Sequence, residues 1–413
     1  MQRTKARLTF SDGEELIQRI FAARDAVAPR EDPESADGRR RASVRVDHMS
    51  SALANVAWEP CFMEARHDRE LEAYARRRMG LPNAAVRYFA AAPWVARATI
   101  DLHPEFGLLM HLDQRTADLI GIVVSQENAC RFCFAAVRAV LWFQGMDRER
   151  VLRIEQEYSR PDLAPRVRSA LDYARSQSRS GPAGARTAWA ALRAAGVSAA
   201  EAREIAFTVA LVDFANRLHT APAIPPAPME RAPEMLPMRL LRPLFDLLTR
   251  SRRSRGGVTP VTVPTVDAPY SQLVAAFAGS PIAPALARTM DAMWVSPHLS
   301  RRCKLLMFAV ISRGLPCEVC ELEVTRALQR EGLDAAAVSR LLTHLDGPEL
   351  DPVERLLMSY ARETLWYEPA TLQRHTRVLR GQLSSEQLVE AIGVAALANG
   401  VCRMAAVVMT EPA

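Results

Sequence analysis

Residues 116–143 read TADLIGIVVSQENACRFCFAAVRAVLWF, and residues 303–330 read CKLLMFAVISRGLPCEVCELEVTRALQR. Each stretch is an apolar run, a short interruption, and a second run that opens on Cys-x-x-Cys. In the first, Thr116 and Asp118 suit the start of a helix. The polar Gln126–Ala129 segment then breaks the run, and a second helix is expected from Cys130 to Phe143, stopped by Gly145. Further helical patterns follow at 147–154, 166–175 and 199–212. No stretch keeps a period-2 alternation, so the fold class is all-α.

The two stretches are 187 residues apart, and the register extends well beyond them. Cys130 and Cys133 fall on Cys317 and Cys320, His111 on His298, Gly145 on Gly332, Pro165 on Pro352 and Tyr173 on Tyr360. After a one-residue slip, Ser198, Glu204 and Arg217 match Ser384, Glu390 and Arg403. Such a register over more than a hundred residues points to a tandem duplication of one helical domain. The expected organisation is a tail at 1–48 with little apolar periodicity, a helical extension at 49–81, a first domain at 82–222, a Pro-rich basic linker at 223–269 and a second domain at 270–413. Residues 219–269 hold ten of the 27 prolines, which sets the linker near His219. Inside the linker, Met238–Arg255 is basic and partly amphipathic, but Pro243 interrupts it, so a short helix packed across the junction is preferred to a membrane-surface segment.

With 413 residues, 49% hydrophobic and 24% charged, the chain can bury two cores of ordinary size. The net charge of +6 carries no aromatic-basic interleaving, so nucleic acid is not an expected partner. The N-terminus lacks an apolar segment behind its basic residues, and the runs at 119–124 and 394–401 are too short to span a bilayer. No membrane span is expected, and the cytoplasm is the expected compartment. Seven cysteines in that reducing setting argue for redox or metal chemistry.

A thiol at a helix N-terminus faces the positive end of the dipole, and the thiolate is the form that attacks a disulfide or peroxide. Arg131 lies between Cys130 and Cys133, whereas Glu318 lies between Cys317 and Cys320, so the first pair is expected to be the more acidic. Zinc on four thiolates is disfavoured, because zinc pairs sit on short knuckles and these sit on apolar helices far apart in sequence. No Gly-rich phosphate loop or haem signature appears, so no cofactor and no metal are expected. Cys61, Cys303 and Cys402 read as small buried hydrophobes.

Residues 119–136, LIGIVVSQENACRFCFAA, together with DFANRL at 213–218, resemble the carboxymuconolactone decarboxylase family, most closely its alkylhydroperoxidase AhpD-like branch. The resemblance covers roughly 82–222 and 270–410. It implies an all-helical fold, assembly into symmetric homo-oligomers, and thiol-dependent reduction of a peroxide or disulfide, with an external dithiol restoring the cysteines. Two features of the family pattern are altered. Where the family carries a His four residues after the second Cys, this chain has Val137 and Val324. Where it carries a Glu twelve residues before the first, this chain has Asp118 and Leu305.

The candidate site residues are therefore Cys130, Cys133, Asp118, Glu127 and His111, with Cys317, Cys320 and His298 as their second-copy counterparts. Glu127 qualifies as a carboxylate three residues before Cys130, and the duplicated His111 and His298 as titratable groups ahead of each thiol-bearing unit. Helix position favours Cys130 as the attacking thiol and the resemblance favours the second Cys, so the assignment stays open at this point. Two other readings are a lyase acting on a small lactone acid, and a non-catalytic redox-sensing or scaffold protein.

Overall fold

The computed structural model describes residues 53, 55–79, 84–103, 107–146, 150–151, 153–154, 163–226, 230 and 269–410. The expected tail at 1–48 and the basic segment at 238–255 lie outside the described residues. Every regular element among the described residues is a helix.

The N-terminal part contains α1 (Arg69–Met79), a 3-10 turn (Ala84–Phe89) and α2 (Pro93–Asp101). It continues with α3 (Gln114–Glu127), α4 (Arg131–Phe143), α5 (Pro165–Ala194) and α6 (Ala199–Thr220). The C-terminal part contains α7 (Ser271–Ala275), α8 (Ile282–Val295), α9 (Arg301–Gly314), α10 (Glu318–Arg330) and α11 (Ala335–His344). It ends with α12 (Pro352–Trp366), α13 (Pro369–Arg380) and α14 (Ser385–Val408).

Local chemistry sets many of the boundaries. Asp113, Ser198, Ser300, Asp334, Asp351 and Ser384 each cap a helix by accepting a backbone N–H from the first turn. Asp351–Glu354 and Ser384–Gln387 form complete capping boxes. Proline opens α2, α5, α12 and α13, where its missing N–H costs nothing. Gly145 and Gly332 turn the chain after α4 and α10 through φ of 94° and 93°, a conformation that favours glycine.

The same packing occurs in both halves. α3 packs on α4, α5 and α6; α9 packs on α10, α12 and α14. Across the halves α2 meets α8, and α6 makes its most extensive contact with α14. At that crossing Gly400 brings its backbone against Ala210, where an added Cβ would lie 2.8 Å from the Ala210 carbonyl oxygen. α14 is long and apolar enough by length and composition to cross a membrane, although the run within it had looked too short. Every residue of it from 388 to 408 is buried inside the protein, as a central helix lacking a polar face must be.

Each half pins the loop before its first packed helix with a buried carboxylate from its last one. Glu204 accepts the backbone N–H groups of Met110, His111 and Leu112 at 2.7–2.8 Å. Glu390 accepts that of Leu299 at 3.4 Å and pairs with the fully buried Lys304 at 2.7 Å. Between the halves a buried ion cluster forms: Arg217 lies 3.4 Å from Asp213 Oδ1, and Arg403 lies 3.4 Å from Asp213 Oδ2.

Two differences from the sequence reading concern boundaries. α5 runs unbroken to Ala194, well past the helical pattern at 166–175. The expected start of the linker belongs to the body: α6 ends only at Thr220, and Ile224 is buried with its carbonyl accepting from Trp58 Nε1 at 3.1 Å. The prolines from Pro222 onward end the helix, but its last turn still faces the core.

Candidate active site

α3 stops at Glu127, and the chain turns through Ala129, whose φ of 49° is left-handed. Cys130 follows as the N-cap of α4, with its N–H bonded to Ser125 O at 3.0 Å. Its sulfur folds over the first turn and accepts the Cys133 N–H at 3.4 Å. This places one sulfur against the unpaired amides of a helix start and the other three residues along the same turn.

Both thiols are buried, Cys130 completely. Burial pushes Cys130 up, but hydrogen bonds from the Cys133 thiol and amide and from the Thr220–Tyr367 hydroxyl pair, which has one proton left to give once its members bond each other, bring it below the ordinary thiol range. Cys133 moves well above that range, through burial, the hydrogen bond it gives Cys130, and repulsion by the charge there. Cys130 is thus the more acidic of the two, and Cys133 the thiol that hydrogen-bonds to it. Thr220 ends α6, and its Oγ1 lies 2.5 Å from the Tyr367 hydroxyl, which comes from the other half.

The imidazole of His219 stacks on Phe132, with ring centres 4.4 Å apart and planes 9° from parallel. Its Nδ1 is 2.6 Å from Ala215 O and 3.7 Å from Cys133 Sγ. A ring nitrogen that close to a carbonyl oxygen carries the proton, so Nδ1–H also faces the Cys133 sulfur as a donor. Burial lowers the His219 pKa to about 4, against the pull of the Ala215 carbonyl, so the ring is neutral at pH 7. His103, after α2, is lowered to about 4 by burial, with Asp118 opposing, and it acts electrostatically on His219.

The candidate residues from sequence divide into two groups. Cys130 and Cys133 lie together at the helix start as expected. Asp118 is buried on α3, accepts from Gln114 Nε2 at 3.0 Å and Gln144 Nε2 at 2.5 Å, and acts electrostatically on His103, which in turn acts on His219. The Glu127 carboxylate pairs with Arg175 at 2.9 Å. His111 is exposed, and its backbone rather than its ring is held, by Glu204. Arg131 is drawn away from the thiols by a two-pronged bond to Glu230, with contacts of 3.1 and 3.2 Å.

In the second half Cys317 and Cys320 are buried and joined as a disulfide. Glu318 is exposed beside them, and His298 is half-buried in the turn before α9. The positions that match His219 and Thr220 are Ala405 and Ala406, both buried on α14. Among the described residues no group of three or more His, Cys, Asp or Glu side chains converges as a metal site.

The groups that sequence reading missed are His103, His219, Thr220 and Tyr367. His219 and Thr220 directly follow the DFANRL segment, yet the prolines beyond them drew the pair into the linker. Tyr367 is followed by Glu368 and Pro369, which signals a helix end but not where the ring goes. No protein-family model, curated protein or solved structure matches this chain.

Proposed function

We propose that this protein is a thiol-dependent oxidoreductase that reduces small peroxides or disulfides through Cys130 and Cys133. The observation that carries the reading is the set of donors converging on one sulfur: the Cys133 amide, the Cys133 thiol and the Thr220–Tyr367 hydroxyl pair all serve Cys130. A buried thiolate is costly unless hydrogen-bonded, so three donors on one thiol of a Cys-x-x-Cys pair favour chemistry over packing.

With a peroxide, Cys130 Sγ attacks the nearer oxygen. The S–O bond forms, the O–O bond breaks, and the departing alkoxide takes the Cys133 proton to leave as an alcohol. The Cys133 thiolate, facing His219 Nδ1–H, attacks the Cys130 sulfenic sulfur and expels hydroxide, which leaves as water after protonation from solvent. An external dithiol reduces the Cys130–Cys133 disulfide by two exchanges. With a disulfide substrate, the first step is thiol exchange at Cys130 and the resolving step is the same.

The resemblance to the AhpD-like branch adds to this reading, as does the repetition between halves. Matching positions cap helices, matching helices share packing partners, and α2–α8 and α6–α14 meet like with like. That pairing is the one two copies related by a two-fold axis would make. The chain is then a tandem duplication whose halves form an internal dimer, working in a reducing cytoplasmic setting.

Burial of both thiols lends support to a second reading, a redox sensor that oxidises once per encounter. The lyase reading needs a free cation to hold a substrate carboxylate, and Arg131 and Arg217 are paired with Glu230 and Asp213. Steady-state turnover of an alkyl hydroperoxide or a small disulfide with excess dithiothreitol tests the proposal. Sustained turnover that disappears in Cys130→Ser is the expected result. A single stoichiometric oxidation would move the assignment to the sensor.

A further inference from the structure

The C-terminal half reaches into the site of the N-terminal half. α5 is a continuous 30-residue helix, but the matching stretch is split into α12 and α13 at Tyr367. The position matching Tyr367 on α5 is Ser180, inside the helix. Tyr367 takes a φ of 38°, a left-handed conformation that a bulky side chain rarely adopts, and Pro369 opens the next helix. The break swings the ring out of the α12 path and against Thr220 and Cys130.

The ring is held from its other side as well. The Arg217 guanidinium lies 4.8 Å from the ring centre, and its Nε donates to Thr364 O at 3.1 Å, in the last turn of α12. One buried arginine of the first half thus grips both the tyrosine and the helix end that delivers it.

We propose that Tyr367 is a working part of the thiol site: its hydroxyl, paired with that of Thr220, donates to Cys130 Sγ and holds that sulfur as a thiolate. The half whose own cysteines are bonded then completes the site of the half whose cysteines are free. This deepens the thiol-exchange reading above and rests on it. The groups facing Cys130 are Cys133 on α4, Thr220 on α6 and Tyr367 after α12; His219 lies beyond Cys133, and Arg217 beyond the tyrosine ring. Burial and the Cys130 charge push the tyrosine phenol well above its ordinary range, so it keeps its proton and stays a donor. A second site of the same kind cannot form at Cys317, because Ala405 and Ala406 stand where His219 and Thr220 would be and Ser180 stands where the tyrosine would be.

The test is a titration of the ultraviolet thiolate absorbance of the full chain, taken as the difference from Cys130→Ser. In the wild-type protein Cys130 should ionise below the ordinary thiol range. Tyr367→Phe keeps the ring on Arg217 and removes only the hydroxyl; it should raise the midpoint by about one to two pH units. Should that variant fold poorly, Tyr367→fluorotyrosine replaces it, since a more acidic phenol donates more strongly and should lower the midpoint. A low wild-type midpoint that neither substitution moves would leave the thiol chemistry standing and overturn the role of Tyr367. A wild-type Cys130 that ionises in the ordinary range would overturn both.

Discussion

Two cysteine pairs occupy matching places in this molecule, and their surroundings differ in almost every polar group. Cys130 and Cys317 both sit as N-caps of 13-residue helices, each with its N–H bonded to a serine carbonyl at 3.0 Å. Around the first pair lie His219, Thr220, Tyr367 and, further out, His103 and Asp118. At matching positions of the second half, Leu305, Val324, Ala405 and Ala406 are all buried and apolar, and the cysteines are joined. A helix start offers its dipole to both sulfurs alike, so the difference in chemistry comes from what other helices bring to it. The thiol pair supplies the position, and hydroxyls distant in sequence lower the pKa of Cys130.

The sharpest way to break this comparison is to exchange the cysteines for serine. Cys130→Ser or Cys133→Ser should remove nearly all dithiol-dependent turnover, whereas Cys317→Ser or Cys320→Ser should leave most of it. Peroxide consumption by the four variants decides this, and equal losses from both pairs would mean that the buried apolar setting of the second does not silence it.

The next largest effect lies in the ion cluster that joins the halves. Asp213 serves two arginines, Arg217 and Arg403, and the matching position in the second half is Asn399. Asp213→Ala leaves two buried guanidinium groups without their carboxylate and should cost about 3–5 kcal/mol. Asn399→Ala removes a neutral hydrogen bond to Thr364 Oγ1 and should cost about 1–3 kcal/mol. Urea unfolding midpoints of the two variants measure the contrast, and a larger loss from Asn399→Ala would reverse it.

Acid should act on the first half through its histidines. The His219 pKa is about 4 in the folded protein, below the ordinary value of 6.5. Above the ordinary value the ring is neutral in both the folded and unfolded chains, and its full contribution to stability is present. As pH falls through that value toward 4, the unfolded chain takes up a proton that the folded one refuses, and stability declines. The shift sets a limit of roughly 3 kcal/mol on the loss. His219→Gln should flatten the pH dependence of the urea midpoint between about 6.5 and about 4. An unchanged slope would place the acid-sensitive group elsewhere, with His103 the first candidate.

Arg131 should matter least. It is committed to Glu230 near the surface, and such pairs contribute at most about 1 kcal/mol. Arg131→Ala should leave the ionisation of Cys130 in place; a marked rise in its midpoint would restore the direct role that neighbouring sequence suggested.

Much of this fold is legible in the sequence because short-range signals decide it. Apolar runs, capping residues and the duplicated register mark the helices, and Gly145 and Gly332 mark their ends. The thiols were legible for the same reason, since two cysteines on one turn carry their geometry with them. Their electrostatic partners were not. Glu127 and Arg131 are neighbours in sequence, but each has a stronger partner in space, Arg175 and Glu230. His219 and Thr220 lie 86 and 90 residues from the cysteines they touch, and the prolines after them looked like the start of a linker. Tyr367 comes from the other half, through a helix break that the matching α5 does not have.

The most direct test of the account is to map every cysteine by mass spectrometry after blocking free thiols, before and after one equivalent of peroxide. The untreated protein should carry a Cys317–Cys320 disulfide with Cys130 and Cys133 free, and peroxide should convert the latter into a Cys130–Cys133 disulfide while the former stays unchanged. Cys130 and Cys133 still blockable as free thiols after peroxide, or oxidation appearing first at another cysteine, would contradict it.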